Sequence, residues 1–383
     1  MVGWLFVVML AVQAPAQHAD DDAAAQSVSQ PAPATLPAGF PIDPTPPAPE
    51  EVADLPPELA LQLRDAVLPR PGSPSTRLQR LVDFMFSPEG LGLAYQEDAT
   101  YTVAQAMQAR RGNCVTFTLM FLAMAQEAGL VAWPQESEDV LAWHLLDSLL
   151  YRANHVSAAV RIGAQTWRVD ATPEPVIARA PPQRIDRARL LSHYYNNLAV
   201  ALMAQGRLGD ATRYMDAALA QDPGNAATWS NAGVLALRGG DRAAARVRYV
   251  HALALAPRQS SALFNMVALL DHHDPRGELP GYRERLERVQ RQDPLHHFML
   301  GMELEGRGDL ADAISHLRRA TRLSPREFRF HLALARAYRE AGDTRRAERA
   351  LARARALGGE AAVESALPPL MRTRGMAAER SPH

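Results

Sequence analysis

The chain has 383 residues, 47% of them hydrophobic, and a formal net charge of −1. This length accommodates two or three domains that each bury a core of their own. The apolar content excludes a wholly disordered chain, and the balanced charge gives no indication of strong affinity for nucleic acid or another polyanion.

Residues 1–16 have the features of an export signal. An apolar run over residues 3–12 is followed by Ala14-Pro15-Ala16, a small-x-small pattern typical of signal-peptidase cleavage. Because the run is too short to span a bilayer comfortably, no stable membrane span is expected after cleavage. We therefore predict a periplasmic or secreted protein, with an uncleaved N-terminal anchor as the alternative.

Residues 17–57 are rich in Pro, Ala, Asp and Glu and almost lack aromatic and β-branched residues. Such a composition buries too little surface to offset its ordering entropy, which predicts a disordered linker. A first globular domain is predicted over residues 58–185. Apolar residues at helical spacing indicate one helix through Leu63 and Val67 and another that ends before Pro88, and Thr102 is the expected N-cap of a short third helix.

The only cysteine of the chain, Cys114, follows a Gly112-Asn113 turn and begins an apolar helix that is expected to end at Gly129. The unpaired N–H groups and the positive dipole end of a helix N-terminus stabilise a thiolate. In an oxidising compartment a lone cysteine cannot form an internal disulfide. Cys114 is therefore either a buried structural thiol or a reactive one.

A β-hairpin is predicted after this helix, because the apolar period changes from 3.6 to 2. A two-residue turn at Gly163-Ala164 pairs Val160 with Trp167 and Ala158 with Val169, which places the larger apolar residues on one face.

The same hairpin register brings two polar residues together on the opposite face. Ser157 is opposite Asp170, so His155 and Asp170 become diagonal neighbours within side-chain reach. Cys114, His155 and Asp170 can then supply a thiol nucleophile, its base and the carboxylate that orients the base. Each residue alone is also consistent with a purely structural role.

Other polar residues complete or compete with this triad. A second oxyanion donor, beside the Cys114 backbone N–H, could come from Gln105 or Tyr101. His144 is the competing histidine, but it stands in an apolar run at helical spacing and is expected to pack in a helix.

Several motifs resemble the transglutaminase-like superfamily: RRGNC ending at Cys114, NHVSAAV beginning at Asn154, and WRVDAT beginning at Trp167. The resemblance covers residues 91–172. It implies a papain-like α+β core with a Cys-His-Asp triad, carried over to Cys114, His155 and Asp170, and acyl-thioester chemistry on amides. Many members have Asp before the cysteine and an aromatic residue shortly after the histidine, whereas this chain has Asn113 and Val156-Ser157.

Residues 186–358 are periodic. Four glycines recur at multiples of 34 residues, with Asp274 at the skipped position, and two alanine columns follow the same period: Gly206, Gly240, Gly308 and Gly342; Ala211, Ala245, Ala313 and Ala347; Ala218, Ala252, Ala320 and Ala354. The pattern resembles about five tetratricopeptide (TPR) repeats, which form an all-α solenoid of helix pairs. The third repeat has a longer internal turn, and residues 359–383 are expected to be a C-terminal tail.

Such solenoids bind protein or peptide partners in a groove. Asn197, Asn231 and Asn265 recur every 34 residues and could bond a peptide backbone there, although Asn is also common at that repeat position.

Two histidine groups, at residues 271–274 and 296–297, fall at opposite edges of the predicted solenoid, so no metal site is expected. The sequence contains no P-loop, dinucleotide or nucleic-acid motif, and no cofactor is expected.

Two functions from different classes follow. The first is an exported thiol-dependent hydrolase or acyltransferase, acting on peptide amides through the Cys-His-Asp triad, whose repeats recruit a partner or substrate. The alternative is a catalytically inactive scaffold for protein–protein interaction.

Overall fold

A computed structural model gives the fold and describes residues 40–67, 72–142, 151–171, 181–360 and 362–363. The predicted signal peptide, residues 17–39 of the predicted linker, His144 and most of the predicted tail lie outside these residues.

The chain divides into two compact units. The first contains the described residues within 1–135, 156–173 and 184–231, and the second contains those within 136–155, 174–183 and 232–383.

Fifteen helices lie in the described residues. They are α1 Pro49–Ala53, α2 Pro57–Val67, α3 Pro74–Phe86, α4 Val103–Ala109, α5 Cys114–Glu127, α6 Arg187–Ala204, α7 Leu208–Gln221, α8 Ala226–Arg238, α9 Arg242–Leu255, α10 Ser260–His272, α11 Leu279–Gln290, α12 Pro294–Gly306, α13 Leu310–Leu323, α14 Phe328–Glu340 and α15 Thr344–Gly358.

The strands are β1 Ala94–Tyr95, β2 Arg111–Gly112, β3 Val131–Ala142, β4 Tyr151–Ile162, β5 Gln165–Val169 and β6 Gln183–Arg184. β1 and β2 form a parallel pair, and the other four form a sheet in the order β5-β4-β3-β6.

The predicted helices of the first unit are confirmed. Thr102 caps α4 by accepting a hydrogen bond from the Gln105 backbone N–H, and α5 begins at Cys114. The side chains of α5 are themselves buried on nearly every face of the helix, so it is the central helix of this unit. Gly129 follows α5 with a φ of 63°, a left-handed conformation that glycine adopts without a Cβ clash and that ends the helix.

The predicted hairpin register is confirmed, because Val160 pairs with Trp167 and Ala158 pairs with Val169. The paired residues therefore share one face, as predicted, but that face is not buried at β5, where Trp167 is 50% exposed. β5 is an edge strand and its residues are exposed or half-buried, whereas β4 is buried on both faces from Val156 to Val160. Burial there is set by the position of a strand in the sheet, which alternation along the sequence does not reveal.

The linker prediction is wrong for its C-terminal part. Residues 40–53 pack on the first unit and include helix α1, whose Val52 is fully buried. This stretch has no core of its own. The buried Val52 side chain and hydrogen bonds from neighbouring helices fix its position instead. Composition reflects only the segment's own side chains, whereas the donors to its carbonyls stand 148 and 169 positions later in the chain.

Glycines end the first helix of four repeats, as the 34-residue column predicts. Gly206, Gly240, Gly308 and Gly342 all have positive φ values, between 76° and 85°. At each of them the chain leaves one helix and enters the next after a short turn, which a left-handed residue permits.

Alanine columns let the paired helices approach closely. Ala211, Ala245 and Ala313 are fully buried, as is the whole column that begins at Ala218. A Cβ added to Gly301 of α12 would stand 2.7 Å from the Leu317 side chain of α13. Small residues at these positions are therefore a packing requirement.

The third repeat is irregular, as predicted. Six residues join α10 to α11 instead of the usual three. Asp274 organises this turn by accepting hydrogen bonds from the backbone N–H groups of Glu278 and Leu279, which lower the pKa of its carboxyl.

Among the described residues, no helix combines the length and apolar character needed to cross a membrane.

Candidate functional sites

Asn113 positions the start of α5 and therefore Cys114. Its side-chain oxygen accepts a hydrogen bond from the Thr116 backbone N–H at 3.1 Å, the usual N-cap contact. Its amide nitrogen donates to the Thr100 hydroxyl at 2.7 Å and, at 3.4 Å, to the Glu97 carbonyl. The donor bonds give a physical reason for Asn where the resembling family often has Asp, because an ionised carboxylate cannot donate.

The residues around Asn113 fix the turn before the thiol. A Cβ on Gly112 would lie 2.5 Å from the Thr116 methyl group, so only glycine fits there. The Thr116 hydroxyl donates to the Ala99 carbonyl at 3.1 Å and accepts from the Tyr101 backbone N–H at 2.8 Å. The loop before α4 and the start of α5 are thus joined by buried hydrogen bonds.

Cys114 is a free, partly exposed thiol at the first position of α5. Tyr95 is a residue whose phenol is affected by the charges of both Cys114 and Asp170. Burial raises the pKa of the Tyr95 phenol, and the charges of Cys114, Glu97 and Asp170 raise it further. Cys114 and Asp170 therefore both lie within electrostatic range of one half-buried tyrosine.

The other triad residues lie on the strands. Asp170 follows β5 and forms an ion pair with Arg168, so its carboxylate has a cationic partner. His155 is buried on β4, where its neighbour Asn154 donates a 2.7 Å hydrogen bond to Glu136. Cys114 and Asp170 belong to the first unit and His155 to the second. The joining of all three into one triad stays a prediction.

The two oxyanion candidates line a cleft of about 690 Å³ in the first unit. The Gln105 side-chain oxygen accepts a hydrogen bond from the Thr102 backbone N–H in a capping box, and Tyr101 packs edge-to-face on Phe40. Cys114 is not among the described residues that line this cleft. The oxyanion role of either residue stays a prediction.

The three predicted groove asparagines differ in their surroundings. Asn231 is 4% exposed and donates a 2.8 Å hydrogen bond to the Asn196 side chain, so its amide is committed to a contact inside the solenoid. Asn197 and Asn265 are half-buried, and for them the groove role stays a prediction.

One histidine group has a partner that the sequence did not indicate. His297 Nδ1 lies 3.0 Å from Nδ1 of His316, and burial lowers the pKa of His297. The two residues are 19 positions apart and meet because α12 packs on α13. Within the described part of the chain, no three His, Cys, Asp or Glu side chains cluster in a way that could hold a metal ion.

A site that the sequence did not predict lies on α6, on α7 and in the turn that joins them. Tyr195, Arg207, Arg213 and Tyr214, which we call the donor set, hydrogen-bond the backbone carbonyls of residues 40–47, which we call the docked segment. The available signal was chemical: a proline-rich segment presents carbonyls and few N–H groups, and α6 and α7 carry donors on long side chains.

Comparison with known proteins identifies the repeats. The tetratricopeptide repeat family matches residues 202–270 and 304–367, so the C-terminal part of the chain contains TPR repeats. The match does not extend to residues 58–185, and the transglutaminase-like assignment stays a prediction. No curated protein matches the chain.

Solved structures resemble the chain only weakly. The crystal structure of YrrB, a TPR protein with an unusual peptide-binding site, is 20% identical, and the match covers 46% of this chain and 91% of that one with a TM-score of 0.25. A MamA crystal structure is 15% identical and covers 50% and 98%, also with a TM-score of 0.25. MamA from Desulfovibrio magneticus RS-1 is 19% identical and covers 43% and 94%, with the same score. At these scores the likeness carries no information on function.

Proposed function

We propose that this protein is an interaction scaffold whose TPR repeats bind a protein or peptide partner. The observation that supports it is the run of helix pairs with left-handed glycine turns, in the region that the tetratricopeptide repeat family matches. Repeats of this kind present extended surfaces to partners. We further propose that the protein acts after export, as residues 1–16 suggest.

Photo-crosslinking in the cells that make the protein tests this proposal. Benzoylphenylalanine replaces Asn197 or Asn265 on the first helices of two repeats, Val247 on an exposed face of α9, and Leu61 on α2 as the control outside the repeats. We expect a discrete protein adduct from at least one repeat position and none from Leu61. Equal adduct patterns at all four positions, or no adduct, would overturn the scaffold proposal.

A second candidate function is thiol-dependent hydrolysis or acyl transfer on peptide amides. The supporting observation is the partly exposed Cys114 at the start of a buried helix, with Asp170 in electrostatic range of the same tyrosine. In this proposal the Cys114 sulfur attacks an amide carbon, and His155 takes the thiol proton and gives it to the leaving amine. Asp170 orients the imidazole, and water or another amine then releases the acyl group from the thioester.

Mass spectrometry after incubation with activated peptide esters tests the thiol proposal. We expect acylation of the wild-type chain at Cys114, followed by turnover. Cys114→Ala should abolish the adduct, and Asp170→Asn should slow its formation by a factor on the order of 10² to 10⁴. Asp98→Asn, at an exposed carboxylate of the same unit, is the matched control. Equal rates for the wild type and the Asp170 variant would exclude the triad.

A further inference from the structure

The docked segment has an unusual hydrogen-bonding requirement. Residues 40–47, FPIDPTPP, contain four prolines, which have carbonyl groups but no backbone N–H. The segment is neither helix nor strand, so its carbonyls cannot be satisfied by a regular ladder of its own. Donors have to come from solvent or from side chains elsewhere in the molecule.

The donor set supplies one side-chain hydrogen bond to each of four carbonyls. Arg207 Nη1 donates to Ile42 at 3.1 Å, Arg213 Nε to Pro44 at 2.9 Å, Tyr214 Oη to Thr45 at 3.3 Å and Tyr195 Oη to Pro47 at 2.7 Å. The bonds follow the segment in order along its backbone. Recognition is therefore of the main chain, from Ile42 to Pro47.

The donors are held in place by their own surroundings. Asp210 forms ion pairs with both Arg207 and Arg213, which orients the two guanidinium groups. Tyr195 and Tyr214 are each only 1% exposed, and their ring centroids lie 6.4 Å apart. Since the rings are fixed by packing, little side-chain entropy is lost when their hydroxyl groups bind a carbonyl.

The side chains of the docked segment contribute little by comparison. Asp43, Pro44 and Thr45 are exposed, and the clearest side-chain contact is that of Phe40, which is itself 37% exposed and packs edge-to-face on Tyr101 at 5.5 Å between centroids. A ligand thus needs an extended backbone, which proline provides at low entropic cost, and an aromatic residue at its start. It does not need this particular sequence in between.

We propose that the donor set is a binding site for extended proline-rich peptide segments, and that a proline-rich segment of a partner protein exchanges with the docked segment. The inference rests on the proposed scaffold function and names the chemistry of its partner. The docked segment also forms one wall of the cleft that Tyr101 and Gln105 line. Exchange would therefore remove the ring that covers Tyr101 and change access to that cleft.

Because the docked segment is tethered to the chain, a partner peptide has to compete with it for the donor set. A segment attached to the same chain acts at an effective concentration on the order of millimolar. A free peptide with the same sequence should bind the wild-type chain poorly, because the site is already filled. Replacing residues 40–47 by an equal length of Gly and Ser in the full chain, the opened chain, removes this competitor.

Fluorescence anisotropy with a labelled peptide of residues 40–48 measures the exchange. We expect the opened chain to bind this peptide at least about tenfold more tightly than the wild-type chain. Tyr195→Phe with Arg213→Gln in the opened chain removes two hydrogen bonds, each contributing about fivefold, and should weaken binding about 25-fold. The matched pair Tyr249→Phe with Arg288→Gln, a buried tyrosine and an exposed ion-paired arginine of later repeats, should leave it unchanged.

A second measurement uses the intact chain, in case the opened chain fails to fold. With 4-fluorophenylalanine at position 40, the fluorine resonance reports packing on Tyr101. Excess unlabelled peptide should move the resonance to its solvent-exposed position. The inference is overturned if a folded opened chain binds the peptide no better than the wild type does, if the donor-set variant binds equally well, or if excess peptide leaves the resonance unmoved. Crosslinked adducts from α8 to α15 would survive such a failure, so it would leave the scaffold proposal standing.

Discussion

Replacing Asn113 should loosen α5 and the segment that carries the thiol. The side chain is 2% exposed and makes three hydrogen bonds, one as N-cap acceptor and two as donor. Loss of an N-cap costs about 1 kcal/mol, and each buried bond that is removed costs about 1 kcal/mol more. Asn113→Ala should therefore cost about 2 to 4 kcal/mol.

Two further substitutions at this position separate the stability that comes from the N-cap hydrogen bond from the stability that comes from the two donated hydrogen bonds. Asn113→Ser keeps an N-cap acceptor and should lose about half as much stability as Asn113→Ala. Asn113→Asp also keeps the cap, but it places a buried carboxylate against the Glu97 carbonyl. Burial raises the pKa of such a carboxyl, so the Asp variant should be most stable below pH 4, where its protonated form can donate, and should lose stability as the pH rises towards 7.

Hydrogen exchange of peptides covering α5 is the suitable assay, because it measures local opening without requiring the whole chain to unfold in one step. A change of 2 to 4 kcal/mol corresponds to exchange about 30- to 1,000-fold faster. Ser73→Ala, which removes the exposed N-cap of α3, is the control and should leave α5 unchanged. If exchange in Asn113→Ala is accelerated less than about threefold, Asn113 does not organise the start of α5 as inferred.

Three other predictions concern the second unit. Gly301→Ala should destabilise it by about 1 to 3 kcal/mol in thermal unfolding, because the new Cβ would stand 2.7 Å from a leucine of α13. Gly306→Ala is the control on the same helix: its Cβ would face open space, so no loss of stability is expected. Arg336→Met should cost about 3 kcal/mol by leaving the buried Glu305 carboxylate without its cation, and adding Glu305→Gln should recover part of that loss. Burial lowers the pKa of His297 in the folded chain, so the unfolded chain takes up the proton at a higher pH. The free energy of unfolding should therefore fall as the pH drops from about 7.5 to about 5. His297→Gln should flatten this dependence, and an unchanged slope in the variant would contradict the prediction.

The parts of the fold that the sequence predicted rest on local periodicity. The register at Val160 and Trp167 followed from alternating residues around a two-residue turn, and the repeats followed from glycines that must adopt a positive φ. The N-cap at Thr102 likewise follows from the chemistry of a single residue. Such signals come from residues that are close together in the chain, so they can be read directly from the sequence.

The parts that the sequence did not predict depend on residues far apart in the chain. Tyr195 and Pro47 are 148 positions apart, and no periodic pattern joins them. The exposure of Trp167 depends on which strand forms the sheet edge. Tyr95 has no motif of its own, although the charges of Cys114 and Asp170 both act on it. The candidate thiol site was thus predicted by residue type, and its environment was not.

In the proposed function, binding of a partner depends on the repeats and not on the thiol. Its most direct test is the yield of the photo-crosslinked adduct in Cys114→Ala compared with Gly301→Leu, which forces a larger side chain between α12 and α13. If the partner binds through the repeats, the yield is unchanged when the sulfur is removed and the adduct is lost when the repeat is disrupted. An adduct that disappears with Cys114 and persists in the repeat variant would contradict it.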